Sequence, residues 1–202
     1  MKNYICINNE KIQLTEDQVE KIRSSLGVPA VKLADVTPGD TVKIAECEFV
    51  VLEQSGDTTA LILKGFLYDS KSFGSNNDFA GSAVDEICQE FAGKLAARVG
   101  EENLAMHTVD LTSDDGLKDY GSVLRRVSLL TADLYRRYVE ILDMHKPDAW
   151  WWLATPYSTP RHDNSAWVKC VWPSGRIYFD DFGNGLGVRP FCILKSNIFV
   201  SK

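Results

Sequence analysis

Trp150-Trp151-Trp152-Leu153-Ala154-Thr155-Pro156 holds three of the chain's five tryptophans in one run. A buried tryptophan contributes a large apolar area, and its indole N–H then needs a hydrogen-bond partner. Alternate residues of a strand face opposite sides, so Trp150 and Trp152 share one face and Trp151 takes the other. A strand that is apolar on both faces is typical of the centre of a core. We therefore expect Trp152 and Leu153 to be buried with Val188 nearby, and we expect function to lie in the surrounding polar loops.

The residues after this strand predict a hairpin and a closing strand. Residues 167–172 and 176–179 have the pattern of paired strands, joined by a turn at Pro173-Ser174-Gly175. Residues 188–194 predict a last strand, in which Pro190 favours an edge position or a bulge. The glycines at positions 183, 185 and 187 are expected to supply positive φ angles in a tight connection.

Two helical patterns precede the tryptophan strand. From Ala83–Val99, apolar residues recur at helical spacing, with Ser82 as the N-cap and Gly100 as the stop. A second helix is predicted at about 132–144, with Thr131 as its cap. Upstream of both, an antiparallel meander and then a polar loop are predicted, over residues 41–44, 48–52 and 59–63, with the loop at 66–77. This order of elements predicts an α+β domain around an antiparallel sheet.

The N-terminal residues predict a small appendage. A hairpin turns at Asn8-Asn9, and a short helix follows in which Thr15 and Gln18 cap each other reciprocally. Gly27 ends that helix, and Val28-Pro29-Ala30 is expected to be a linker. A piece of this size cannot bury a core of its own, so it must dock on the rest of the chain or on a partner.

Length and composition limit the classes of function. The chain has 202 residues, enough for one main domain at 33–202 and the appendage at 1–30. A net charge of −6 argues against direct nucleic-acid binding, which depends on neutralising phosphates, but it suits a basic protein partner. No apolar run suggests a signal peptide or a membrane span. We therefore expect a cytoplasmic protein, in a cell or an infected host, or a component of a virion.

The cysteines predict buried, reduced thiols. Cys6, Cys47, Cys88, Cys170 and Cys192 are odd in number, widely scattered and set mostly in apolar patterns. No Cys-x-x-Cys pair or zinc spacing is present in the sequence. We expect no disulfide bond, because such thiols in a chain without a secretion signal remain reduced.

Three aspartates, Asp110, Asp114 and Asp115, resemble cation ligands. A calcium loop of the EF-hand kind requires glycine at its sixth position and glutamate at its twelfth, where this chain has Asp115 and Gly121. An Asp-rich turn that caps a helix is the favoured interpretation, and weak calcium binding at residues 110–115 stays open. We expect no cofactor and no tightly bound transition metal, since no ligand cluster has a suitable spacing.

The last quarter of the chain provides the candidate ligand surface. The loop at 157–164 mixes aromatic, basic and small polar residues, as recognition loops do. In the hairpin, the mixed residues are expected to share an outer face, and the apolar set Val168, Cys170 and Trp172 is expected to face the core. A solvated sheet face without a ligand is the alternative. The candidate binding residues are Tyr157, Arg161, His162, Asn164, Trp167, Lys169, Arg176, Tyr178 and Asp180.

Several motifs resemble one protein family. Trp151-Trp152-Leu153 with Pro156, and then Gly187-Val188-Arg189-Pro190, resemble the Trp-Trp-Leu-Arg-Ser-Pro … Gly-Val-Arg-Pro pattern of an uncharacterised domain family common in bacteria and prophages. Pro38-Gly39-Asp40-Thr41-Val42 resembles the way those domains begin. The closing pattern is similar to that of C-type-lectin-like folds, including formylglycine-generating-enzyme-like domains and the variable proteins of diversity-generating retroelements. The family's arginine after Trp-Trp-Leu is Ala154 here, and the catalytic cysteine pair of formylglycine-generating enzymes has no match.

The resemblance and the residues together lead to three hypotheses. The first is a C-type-lectin-like recognition module, borne by a phage or prophage and not an enzyme, that binds a protein or glycan through the loops after the Trp-Trp motif. The second is a counter-defence inhibitor whose acidic surface meets a basic host protein such as a nuclease. The third is an enzyme whose residues meet only in space, for example Cys170 with His162, although Cys170 alternates with its neighbours as a packed strand residue does. The sequence leaves the ligand and the oligomeric state open.

Overall fold

The computed structural model of the chain describes residues 3–7, 10–25, 30–44 and 46–201. The helices in these parts are α1 (Glu16–Ser25), α2 (Ala83–Val99), α3 (Ala132–Arg137) and α4 (Val139–Met144). The strands are β1 (Asn3–Ile7), β2 (Glu10–Leu14), β3 (Ala30–Lys32), β4 (Thr41–Ile44), β5 (Cys47–Ser55), β6 (Thr58–Leu63), β7 (Tyr68–Lys71), β8 (His107–Asp110), β9 (Ser122–Arg125), β10 (Val127–Ser128), β11 (Trp151–Pro156), β12 (Trp167–Val171), β13 (Ile177–Asp181), β14 (Leu186–Val188), β15 (Phe191–Lys195) and β16 (Phe199–Ser201). This mixture of helices and largely antiparallel sheets confirms the predicted α+β class.

The larger sheet has seven strands, in the order β10-β15-β6-β5-β4-β16-β3. The predicted meander is confirmed, because β4, β5 and β6 pair antiparallel within it. Helix α2 begins after Ser82, whose side chain accepts a hydrogen bond from the Asp85 amide, and it ends at Gly100 as predicted. The helix packs on this sheet, where the rings of Phe91 and Phe49 stack with centroids 6.3 Å apart.

The smaller sheet has five strands, in the order β13-β12-β11-β14-β7, and the tryptophan strand β11 lies at its centre. Every residue of β11 is buried, and Trp152 and Leu153 have no exposed surface. Trp152 packs in one apolar cluster with Val188, and Leu153 packs in a second one with Trp151. The indole of Trp152 donates a 2.8 Å hydrogen bond to the carbonyl of Lys71. The prediction of a strand covered on both faces is confirmed.

The predicted closing strand at 188–194 is wrong, because it is two strands in two sheets. β14 pairs parallel to β11 in the smaller sheet, and β15 pairs with β6 and β10 in the larger one. Pro190 lies between them, where its missing N–H interrupts no ladder. Arg189 beside it is fully buried and donates hydrogen bonds to the carbonyls of Leu63, Lys64 and His145. Burial lowers the pKa of this guanidinium to about 10.

The region before α2 and the glycine-rich connection also differ from the prediction. The predicted loop at 66–77 contains β7, whose four residues are all exposed and therefore have no apolar alternation. β7 pairs with β14. Gly183, Gly185 and Gly187 are not among the glycines with positive φ. A Cβ atom on Gly187 would lie 2.6 Å from the Phe66 ring, so this glycine permits close packing and does not form a turn.

The predicted helix at 132–144 is interrupted. Thr131 caps α3 as predicted, accepting a hydrogen bond from the Leu134 amide. At Tyr138 the backbone leaves helical geometry, with φ −107° and ψ 14°, and α4 begins afterwards. The Tyr138 hydroxyl donates to Glu53 on β5, a partner 85 residues away that no local pattern reveals.

In the N-terminal appendage, β1 and β2 form the predicted hairpin, and the reciprocal cap of α1 is confirmed. The Thr15 amide donates to Gln18 Oε1 at 2.9 Å, and the Gln18 amide donates to Thr15 Oγ1 at 3.3 Å. The turn at residues 8–9, the helix stop at residue 27 and residues 28–29 of the predicted linker lie outside the described residues. Ala30 is not a linker residue, because it begins the edge strand β3, which pairs with β16.

The thiols whose side chains are described are all free. Cys88, Cys170 and Cys192 are buried and Cys47 is half-buried; the side chain of Cys6 lies outside the described part. Burial raises the pKa of Cys192 to about 12. In the described ranges, no helix combines the length and the apolar character needed to cross a membrane.

Candidate functional site

The β12–β13 hairpin has two different faces, and the strand register assigns its residues to them. Residues directly opposite each other in an antiparallel pair point to the same face. Lys169 lies opposite Phe179, whereas Cys170 lies opposite Tyr178. We call the side of Trp167, Lys169 and Phe179 the front face, and the side of Val168, Cys170, Tyr178 and Asp180 the back face.

The expectation that the mixed hairpin residues share one outer face is therefore wrong. Trp167 and Lys169 lie on the front face, while Tyr178 and Asp180 lie on the back face. The prediction grouped residues by polarity, but the pairing across the turn at 173–175 sets the face. Val168 and Cys170 are buried as predicted, and Trp172 is half-buried.

Three rings on the front side form what we call the aromatic platform: Tyr157, Trp167 and Phe179. Trp167 stacks on Phe179 with centroids 4.8 Å apart, and Tyr157 lies 5.6 Å from Trp167 and 4.7 Å from Phe179. Trp167 keeps 39% of its surface exposed. The platform thus offers a large exposed ring that its neighbours already hold in place.

The prediction that Lys169 faces outward is wrong, because Lys169 is buried and does not point into solvent. Only 7% of the residue is exposed. Its Nζ donates to Asp114 Oδ2 at 2.9 Å and lies 5.5 Å from the centroid of the Tyr157 ring. Lys169 therefore supports the platform from below by an ion pair and a cation–π contact.

The aspartate loop, residues 110–121 between β8 and β9, holds the loop at 157–164, which we call the recognition loop after its predicted role. Ser158 Oγ donates to Asp115 Oδ2 at 2.6 Å, and His162 Nδ1 lies 2.9 Å from the same oxygen. Hydrogen bonds from Ser113 and then Ser158 keep the pKa of Asp115 well below its usual range. The prediction that this Asp-rich turn caps a helix is wrong, since it connects two strands.

A second aspartate, Asp119, binds the same loop at two positions between Ser158 and His162. Asp119 accepts hydrogen bonds from Arg161 and, at 2.5 Å, from the Thr159 hydroxyl. These bonds, that of Arg161 first, lower the pKa of Asp119. Arg161 and His162 therefore both engage the aspartate loop, and neither projects alone into solvent.

Asn77 is the buried residue that the sequence interpretation missed. Its amide nitrogen donates to the carbonyls of Ser158 and Trp167, each at 3.0 Å, and its oxygen accepts from the Tyr120 hydroxyl at 2.7 Å. One fully buried side chain, that of Asn77, thus joins the recognition loop, strand β12 and the aspartate loop. An asparagine at the end of a predicted polar loop is too common to have identified it.

A cleft of about 260 Å³ opens between these parts. It is lined by Asp114, Asp115, Tyr157, Ser158, His162 and Asn164, so three of the predicted site residues meet there. Asp114 pairs with Lys169 and Arg136, and Asp115 is engaged as described above. The cleft consequently presents carboxylates whose oxygens already accept hydrogen bonds from neighbouring side chains. In the described part of the chain, no group of three or more His, Cys, Asp or Glu residues is arranged to hold a metal ion.

Of the remaining predicted residues, Arg176 and Tyr178 belong to a second aromatic cluster on the back side, and Asp180 lines a different cleft. Trp150 and Trp172 lie 4.4 Å apart, and Tyr178 lies 5.4 Å from Trp172. The Arg176 guanidinium lies over both Trp172 and Tyr178, at 4.7 and 5.1 Å. We call Trp150, Trp172, Tyr178 and Arg176 the back cluster; it meets the platform where the Tyr178 and Phe179 rings stack, with centroids 4.7 Å apart.

The Cys170 and His162 pair does not have the properties of a catalytic dyad. Cys170 is buried, and burial raises the pKa of its thiol to about 12. Activated thiols have depressed pKa values and partly exposed sulfur atoms. His162 is exposed and pairs with Asp115.

Comparison of the chain with known protein families, with curated protein sequences and with solved structures returned no match.

Proposed function

We propose that this chain is a recognition module, not an enzyme, that holds a protein or glycan ligand against the aromatic platform and the adjoining cleft. The observation that carries the proposal is the exposure of Trp167 on a surface that is otherwise fixed in place. Exposed tryptophans supported by well-packed neighbours are the residues most often found as binding anchors.

The rigidity of the surface supports the proposal. Asn77, Asp115 and Asp119 each bind the recognition loop through side-chain hydrogen bonds, and Lys169 holds the platform from beneath. A surface that is ordered before binding loses less conformational entropy when the ligand arrives. A loop that only faced solvent would not need so many buried polar contacts.

The proposal includes a C-type-lectin-like fold of the family that the motifs resemble. The Trp-Trp-Leu strand is central in a sheet of short strands, the loop after it bears the proposed site, and the Gly-Val-Arg-Pro segment joins the two sheets. These features support that fold, in which loops after the Trp-Trp motif serve as ligand surfaces.

The test compares two aromatic residues of similar exposure, Trp167 at 39% on the platform and Tyr68 at 42% on β7. The wild-type protein, Trp167→Ala and Tyr68→Ala are applied in parallel to a glycan array and used to capture proteins from bacterial lysate. We expect ligands that the wild type and Tyr68→Ala retain and that Trp167→Ala loses, with nearly unchanged melting temperatures. Ligands retained equally by all three proteins would remove the platform from consideration.

A further inference from the structure

A second cleft, with a lining different from that of the platform cleft, opens beside the back cluster. It has a volume of about 700 Å³, within the range of sites that hold a side chain or a small ligand. Trp150, Leu186 and Pro173 contribute apolar lining. The Trp150 ring continues into Trp172 and Tyr178, so the cleft adjoins an extended aromatic surface.

Three carboxylates line the same cleft: Asp69 on β7, Asp148 before β11 and Asp180 on β13. None of them forms a salt bridge within the parts of the chain that the structure describes. Asp180 Oδ1 accepts hydrogen bonds from Asn184 Nδ2 and from the Asp181 amide, which fixes its position but does not balance its charge. This is the reverse of the platform cleft, where Lys169, Arg136 and His162 already engage the aspartates.

The back cluster already binds one guanidinium. Arg176 lies over the rings of Trp172 and Tyr178, so these aromatic faces accept a planar cation in this structure. Among the described residues, Arg176 forms no salt bridge. Arg176 occupies the faces of Trp172 and Tyr178, so the ring available to a further cation is Trp150, which lines the cleft beside the three carboxylates.

We propose that this cleft docks an arginine side chain presented by an extended segment of a basic partner protein. The guanidinium stacks on Trp150 and pairs with Asp148 and Asp69, while the arginine stem packs against Leu186 and Pro173. Charge complementarity of this kind speeds association and excludes acidic partners. The inference concerns a different cleft from the one beside the platform, and the two clefts share no lining residue.

The probe is the heptapeptide Gly-Arg-Gly-Arg-Gly-Arg-Gly, matched by a peptide in which citrulline replaces each arginine and keeps its shape without its charge. Binding is followed through the indole N–H resonances in ¹H–¹⁵N spectra. We expect the arginine peptide to shift the signals of Trp150 and Trp172 and to leave Trp167 unchanged. The citrulline peptide is expected to shift none of them.

The variant Asp69→Asn with Asp148→Asn should weaken binding of the arginine peptide about tenfold or more. Its matched control, Glu86→Gln with Glu90→Gln, removes two charges from exposed positions on α2 and should bind within about twofold of the wild type. Trp167→Ala should also bind normally, which separates this inference from the proposed function.

Three results would overturn the proposal. The wild type could fail to bind the arginine peptide at millimolar concentration, or the Asp69/Asp148 variant could bind it as well as the Glu86/Glu90 control does. Spermidine could also shift the same indole signals with equal affinity, which would make the cleft a site for diffuse positive charge and not for an arginine side chain.

Discussion

Strand β11 and the β12–β13 hairpin are neighbours in one sheet and are both rich in aromatic residues, but only β11 is buried throughout. β11 lies at the centre, with core clusters on both faces. β13 is the edge strand, so the hairpin aromatics extend beyond the core and stack on one another. Position in the sheet, and not hydrophobicity, separates the buried tryptophans of β11 from the partly exposed Trp167.

The sharpest test of this difference is Trp152→Ala in β11. The variant should lose about 3–5 kcal/mol of unfolding free energy, because a large ring and its hydrogen bond to Lys71 are removed from a fully packed site. Urea denaturation measures the loss. A loss under about 1 kcal/mol would contradict the central position of β11.

The dependence of stability on pH should also distinguish a buried histidine from an exposed one. Burial lowers the pKa of His107 to about 4 from 6.5, so the unfolded chain takes up its proton first. Stability due to neutral His107 is complete above about pH 6.5 and is lost as the pH falls toward 4, by about 3 kcal/mol. Denaturation between pH 7 and 4 should show this decline in the wild type and a flatter profile in His107→Gln.

His162 provides the control for that measurement, because it is exposed and lies in the recognition loop. His162→Gln should keep the decline between pH 6.5 and 4. The surface carboxylates act at lower pH: the lowered pKa values of Asp115 and Asp119 favour the folded state above about pH 4, and that contribution is lost below it. An unchanged profile in His107→Gln would show that another group is responsible.

Asn77 links the two regions, and its removal should have an intermediate effect. Asn77→Ala should cost about 1–3 kcal/mol, because the carbonyls of Ser158 and Trp167 lose a buried donor. Hydrogen exchange should also become faster in residues 157–167. A loss of stability without any change in that loop would show that Asn77 does not position the site.

The smallest effect on stability is expected for Trp167→Ala, in contrast to Trp152→Ala. Trp167 is partly exposed and rests on Tyr157 and Phe179, so its removal should cost less than about 1 kcal/mol. Thermal melting measures the cost, and a loss comparable to that of Trp152→Ala would assign Trp167 to the core instead.

The elements that the sequence predicted correctly are those that depend on neighbouring residues. Ser82, Thr131 and the Thr15–Gln18 pair cap their helices, and the alternation in β11 identified a strand that is covered on both sides. The predicted site was correct in part: Tyr157, His162 and Asn164 line one cleft. Lys169 was assigned to solvent because lysine is rarely buried, and its partner Asp114 is 55 residues away in the chain.

Caps and hydrophobic periodicity act over three or four residues, so their physical cause is contained in a short window of sequence. Three features could be seen only in the folded chain. They are the two faces of the β12–β13 hairpin, the division of residues 186–195 between two sheets, and the contacts that bring Asn77, Asp115 and Ser158 together. In a hairpin, a register shift of one residue moves every side chain to the opposite face. Contacts between loops depend on the path of the whole chain, and no local pattern encodes it.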